Sequence, residues 1–89
     1  MLKKPSVSSL QVARTAKQIG EALRRKRRSL RLTQADLAAR AGMRQATVSA
    51  LERGEARLDT LIHMLAALGL ELVVRDRGAE SEVRLEDIF

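Results

Sequence analysis

Cysteine, tryptophan and tyrosine are all missing from the 89 residues, and Phe89 is the only aromatic residue. Without cysteine there are no disulfides and no thiolate metal sites. With one aromatic ring there is no stacking platform of the kind that readers of single-stranded RNA use. The one histidine, His63, has no cluster of histidines or carboxylates at ligand spacing around it, so it reads as a half-exposed helix residue rather than a ligand. A glycine-rich phosphate loop and paired acids in a cleft-forming context are also missing, which argues against an enzyme and against any cofactor or metal. No apolar run approaches the roughly 18 residues of a membrane span, and the N-terminus has no secretory core. The expectation is a soluble, cytoplasmic protein. A chain this short buries only about 60% of its unfolded surface, so association with a second copy would help it.

Acidic residues are scarce where basic ones are dense. Before residue 32 ten cations (Lys3, Lys4, Arg14, Lys17, Arg24, Arg25, Lys26, Arg27, Arg28, Arg31) face Glu21 alone. From Asp76 onward the balance reverses, with Asp76, Glu80, Glu82, Glu86 and Asp87 against Arg77 and Arg84. The net charge of +6 therefore sits in the front half, which suits a polyanion, while the tail would be repelled by one.

The chain is organised around Thr33 to Gly54, TQADLAARAGMRQATVSALERG. Thr33 and Asp36 stand at capping-box spacing, and Leu37, Ala38 and Ala41 then fall on one helical face. Gly42 suits a tight turn because it tolerates positive φ. A second helix follows with Val48 and Leu51 inward and Arg44, Gln45, Ala46 and Ser49 outward, and Gly54 ends it. Two short helices, a glycine turn and a polar face at the start of the second describe a helix-turn-helix.

This stretch resembles the Xre/Cro family, to which phage Cro and lambda-type repressors belong. The resemblance rests on Thr33-Gln34 opening the first helix, Ala41-Gly42 at the turn and Leu51-Glu52-Arg53-Gly54 at the end, and it covers roughly Ile19 to Leu70. It implies that Arg27 pairs with Glu52, bracing an earlier helix against the recognition helix. Two positions depart from the family pattern. Arg31 stands where glycine is usual, which strains the backbone there or extends the helix. Arg44 stands where a small hydroxyl residue is frequent, and the loss of that cap costs about 1 kcal/mol.

The remaining segments read in order. Residues 1–14, with Pro5 and three serines, form a flexible arm with a short extended piece around Ser9 to Ala13; Lys3 and Lys4 are either a frayed terminus or backbone contacts on DNA. Thr15 opens a helix with Gln18 at capping-box spacing, Ala16, Ile19 and Leu23 inward, and an end near Ser29. After Gly54, Leu58, Leu61, Ile62, Leu65 and Leu68 make an amphipathic helix that His63 and Met64 interrupt. Residues 15–69 are thus the DNA-binding domain. Residues 70–76, LELVVRD, switch to period 2 and predict the only strand. A lone strand leaves both edges unpaired, so the same strand of a second copy is the simplest partner, with Leu70, Leu72, Val73 and Val74 at the dimer interface. Residues 77–89 are acidic and read as a disordered tail.

The fold class is therefore an all-α, lambda-repressor-like bundle of four to five helices, with one C-terminal β-strand pairing across a homodimer. Gln45 can accept from adenine N6 and donate to N7, Arg44 can reach guanine or phosphate, Ala46 a thymine methyl and Ser49 either base or backbone. Thr33, Gln34, Thr47 and Arg53 are the phosphate candidates, and the resemblance implies that Gln34 also supports Gln45. A dimer implies an inverted-repeat operator in duplex DNA with half-sites about 34 Å apart. Arg44-Gln45-Ala46-Thr47-Val48-Ser49, together with Leu68 to Leu72, is similar to HipB-type antitoxins. That likeness implies a repressor of its own operon with a HipA-type serine/threonine kinase toxin as partner, which Ile88 and Phe89 would contact. The alternative is a free-standing regulator whose strand and tail serve only dimerisation.

Overall fold

A computed structural model describes residues 10–78. Four helices follow one another: α1 (Ala16–Ser29), α2 (Gln34–Ala41), α3 (Gln45–Glu52) and α4 (Leu58–Ala67). Their starts differ in chemistry. At α2 the capping box is complete, with the Thr33 hydroxyl accepting from the Asp36 N–H and the Asp36 carboxylate accepting from the Thr33 N–H, both at 3.0 Å. Hydrogen bonding to the carboxylate from Thr33, its backbone N–H first and its hydroxyl second, holds the Asp36 carboxyl below its ordinary range. At α1 the Thr15 hydroxyl accepts from the Gln18 N–H, but the return bond differs from the box read in the sequence. Gln18 Oε1 accepts from the Arg14 N–H at 2.6 Å, one residue earlier than a box requires. Arg44 and Arg57, which precede α3 and α4, give no side-chain cap.

The four helix ends share one geometry. In each, two successive N–H groups fold back onto the last turn: Arg31 to Arg28 and Leu32 to Arg27, Gly42 to Ala39 and Met43 to Ala38, Gly54 to Leu51 and Glu55 to Ala50, Gly69 to Ala66 and Leu70 to Leu65. This closing pattern needs a left-handed residue and so favours glycine. Three ends have it, at Gly42, Gly54 and Gly69, with φ of 69, 83 and 73°. The fourth has Arg31, at φ 61°, the one positive-φ residue other than glycine among the described residues. Of the two readings of Arg31, helix extension is therefore overturned: α1 stops at Ser29 and the strained backbone follows.

Side chains from all four helices meet in one core: Leu23, Leu37, Ala38, Ala41, Val48, Leu51, Met64, Leu65 and Leu68. Burial of a side chain such as Leu37 or Val48 is worth about 1.5–3 kcal/mol relative to exposure. In α4 the inward stripe is shifted from that expected. Met64 is buried at 1%, while Leu58 and Ile62 are 71% and 47% exposed. Five leucine and isoleucine positions spread around α4 are more than one face can bury, and Met64 at i+3 from Leu61 completes the inner stripe instead.

Residues 71–76 have no regular secondary structure in the single chain. Leu70 packs against its own core, and its N–H bonds to Leu65, so it belongs first to its own subunit. Leu72, Val73 and Val74 are exposed. Lys3, Lys4, Ile88 and Phe89, named above from the sequence, lie outside the described residues.

Candidate nucleic-acid interface

Helix α3 is fixed by what it buries. Val48 is fully enclosed and Leu51 nearly so, which turns Gln45 and Ala46 outward and leaves Ser49, one turn below Gln45, half-exposed on the same flank. Arg44 precedes them in extended backbone, also exposed. The four residues expected to touch bases therefore share one end and one side of α3. Among the described residues the Gln45 amide has no hydrogen-bond partner, so its donor and acceptor are both open.

Behind this face lies a polar cluster. Arg27 Nε donates to Glu52 Oε2 at 2.6 Å and Arg27 Nη2 to Glu52 Oε1 at 3.2 Å, a two-pronged pair. Arg27 Nη1 donates to the Leu32 carbonyl at 2.8 Å, and Gln34 Nε2 donates to Glu52 Oε1 at 3.0 Å. The two side chains are only 10% and 6% exposed. Burial pushes the Glu52 carboxyl up, but hydrogen bonds from Arg27 and Gln34 and the charges of Arg27 and Arg24 outweigh it and hold the group below its ordinary range. The same hydrogen bond raises Arg27 against its own burial. One glutamate thus ties α1, the start of α2 and the end of α3 together, and every buried polar side-chain atom among the described residues is satisfied.

The phosphate candidates divide. Thr33 is exposed, and its hydroxyl is engaged with Asp36, accepting from the Asp36 N–H. Gln34 is half-buried, and its amide turns to Glu52 rather than to Gln45, which differs from the support implied by resemblance. Its second amide hydrogen remains available. Thr47 is half-buried on α3. Arg53 Nη1 donates to Ser49 Oγ at 2.8 Å and Nη2 to Glu55 at 3.3 Å, so a phosphate candidate and a base candidate already touch each other.

Three features of this region escaped sequence reasoning. Gly20 lies where α1 crosses the end of α3; a Cβ there would collide with the Glu52 carbonyl and stand 2.8 Å from that of Leu51. A glycine inside an otherwise good helix was the available signal. The second is the His63 ring, whose Nε2 donates to the Ala41 carbonyl at 2.7 Å, fastening α4 to the end of α2. The third is the Arg25 bond to Gln11 at 3.0 Å, which brings the segment before α1 back against that helix. Nothing in the spacing of these residues announced either contact. Among the described residues no group of three or more histidines or acids could hold a metal ion, and no helix is long and apolar enough to cross a membrane.

Fold and face together define a helix-turn-helix DNA-binding domain. Residues 23–74 match the helix-turn-helix family of Xre-like domains, and the chain belongs to that family. No curated protein matches the sequence. Among solved structures, a chain of a HipA–HipB–O2–O3 complex is similar at 29% identity and TM-score 0.68, over 75% of this chain and 97% of that one. A chain of a HipB–O4 20mer complex is similar at 29% identity and TM-score 0.69, over 75% and 97%. A HipB–O1–O2 complex gives 29% and 0.69, over 75% and 100%. The chain is a HipB-like DNA-binding regulator.

Proposed function

We propose that this protein is a HipB-like antitoxin. It acts as a homodimer that represses its own operon and binds a HipA-like serine/threonine kinase toxin. The observation that carries the reading is the outward set on α3: Gln45 with an unengaged amide, flanked by Arg44, Ala46 and Ser49, above a buried Val48 and Leu51. In that arrangement Gln45 reads adenine, Arg44 reads guanine or holds phosphate, Ala46 meets a thymine methyl, and Ser49 bonds base or backbone once Arg53 releases it. Thr33, Gln34, Thr47 and Arg53 hold the phosphates on either side.

Dimerisation is supported by apolar surface that one subunit leaves open. Leu72, Val73 and Val74 are exposed on a segment with no regular structure of its own, and Leu58 and Ile62 are exposed on α4. A two-stranded ribbon made with the second copy would pair one edge of residues 71–76, leaving the other to solvent, and bring two recognition helices together for half-sites about one turn of DNA apart. The toxin partner is supported by likeness to the HipB chains, one of them in a complex with HipA and operator DNA; the proposed contact is through Ile88 and Phe89.

Titration of single-base variants of the inverted repeat upstream of the gene tests the reading. Gln45→Ala is expected to lose about 1–3 kcal/mol at one base pair per half-site and little elsewhere, while Arg53→Ala weakens all variants alike. Equal loss on every variant would overturn the base assignment. Co-purification of a kinase-like protein, lost on deleting residues 77–89, tests the partner; a chain that regulates its operon yet captures no kinase is a free-standing regulator.

A further inference from the structure

Arg31 occupies a backbone conformation that three other helix ends in this chain give to glycine. The closing bonds are the same at all four ends, yet only this one carries a side chain, at φ 61°. Nothing inside the molecule asks for that side chain: it is exposed and has no hydrogen bond or ion-pair partner among the described residues. Strain of this kind persists at sites where the strained residue does something. What Arg31 has that glycine lacks is a fixed cation.

Its surroundings add two more. Arg24 and Arg28 stand one turn apart on the same flank of α1, both exposed. Arg24 is close enough to Glu52 for its charge to act on that carboxylate. Glu52 in turn holds Gln34, three residues beyond Arg31. Arg24 thus lies toward the point where α1, α2 and α3 converge on Glu52, with Arg28 one turn further along the same flank of α1 and Arg31 in the bend that leads from α1 to Gln34. Of the carboxylates near them, Asp36 accepts from Thr33 and Glu52 from Arg27 and Gln34, while Glu21, one turn before Arg24 on α1, is exposed and makes no ion pair among the described residues.

We propose that Arg31, with Arg24 and Arg28, forms a phosphate-binding corner that grips the DNA backbone beside the half-site read by α3. The ligand is the phosphodiester of duplex DNA, held without regard to sequence. The corner rests on the DNA-binding reading above and extends it by a contact outside the helix-turn-helix itself. Each phosphate neutralised releases condensed counterions, so a lost contact appears as a shallower dependence of affinity on salt.

The test uses the full chain and a mixed-sequence duplex, with affinity measured by fluorescence anisotropy across a salt series. Arg31→Gly removes strain and charge together, and Arg31→Lys restores the charge alone. Arg31→Gly is expected to melt no lower than wild type yet bind more weakly. The slope of log affinity against log salt should become shallower by about 0.9, so the gap from wild type widens about eightfold as salt falls tenfold. Arg28→Gln should also flatten the slope, and Arg31→Lys should keep that of wild type. A wild-type slope in Arg31→Gly overturns the proposal, as does an Arg31→Lys slope as shallow as that of the glycine variant. Wild-type protein that binds no duplex at low salt would overturn the DNA reading itself, a result distinct from an unchanged slope.

Discussion

Replacing Glu52 with alanine strips the Arg27 guanidinium of both its carboxylate bonds and leaves Gln34 without its acceptor. Arg27 is 10% exposed at the side chain, so water can compensate little. Breaking a buried pair by removing one partner costs about 3–5 kcal/mol, mostly through the charge left behind. Arg27 keeps its bond to the Leu32 carbonyl, which places the expected loss at the lower end, about 3 kcal/mol. In a domain of this size each kcal/mol moves the midpoint by about 4–8 °C, so Tm should fall by roughly 12–24 °C. Since such domains are stable by only about 5–15 kcal/mol, the loss is a large fraction of the whole. Thermal and urea unfolding followed by circular dichroism measure it. The double variant Arg27→Met with Glu52→Leu removes both charges and should recover much of the loss, because the penalty belongs to the unpaired charge and not to the missing bond. A Tm unchanged within a few degrees in Glu52→Ala would refute the bracing role of the pair, since that shift is far below what about 3 kcal/mol produces.

Acid should find the same pair. The folded Glu52 carboxyl lies below the ordinary glutamate value of 4.5, so its contribution is complete above that pH and disappears as pH falls through the lower folded value; unfolding free energies measured downward from pH 6 should therefore drop less steeply in Glu52→Gln than in wild type. Gly20→Ala should destabilise the fold by about 1–3 kcal/mol through overpacking between α1 and α3, despite alanine's better helix propensity, and a urea midpoint at or above that of wild type would contradict the close approach. Arg44→Ser supplies the cap that α3 lacks and should stabilise the protein by about 1 kcal/mol in urea unfolding while weakening operator binding; tighter operator binding would remove Arg44 from the interface.

Local rules sufficed for the elements that carry their own instructions. Thr33, Asp36 and Gly42 specify how α2 begins and ends through bonds no more than five residues apart, and the i, i+3, i+4 spacing of Leu37, Ala38 and Ala41 or Val48 and Leu51 already states which face turns inward. Because those inward residues are fixed, the outward position of Arg44, Gln45, Ala46 and Ser49 was legible too. Arg27 and Glu52 could be paired from family resemblance, although 25 residues separate them.

Other outcomes depended on packing that no local pattern encodes. Only the meeting of α1 with α3 makes Gly20 obligatory, and only the approach of α4 to the end of α2 gives His63 its acceptor at Ala41. The inward stripe of α4 was misjudged because Leu58 and Ile62 are as apolar as Leu61 and Leu65. Which of them is buried is set by the direction in which three other helices present their side chains. The alternation in residues 70–76 marks a segment suited to pairing, but a strand exists only through a neighbour's backbone, and that neighbour is not within the one chain. Sequence therefore determined the helices, the capping of α2 and the outward side of α3, where the deciding bonds are local. Tertiary structure decided the convergence on Glu52, the close approach at Gly20 and the anchoring of His63, where atoms distant in the chain must share one small volume.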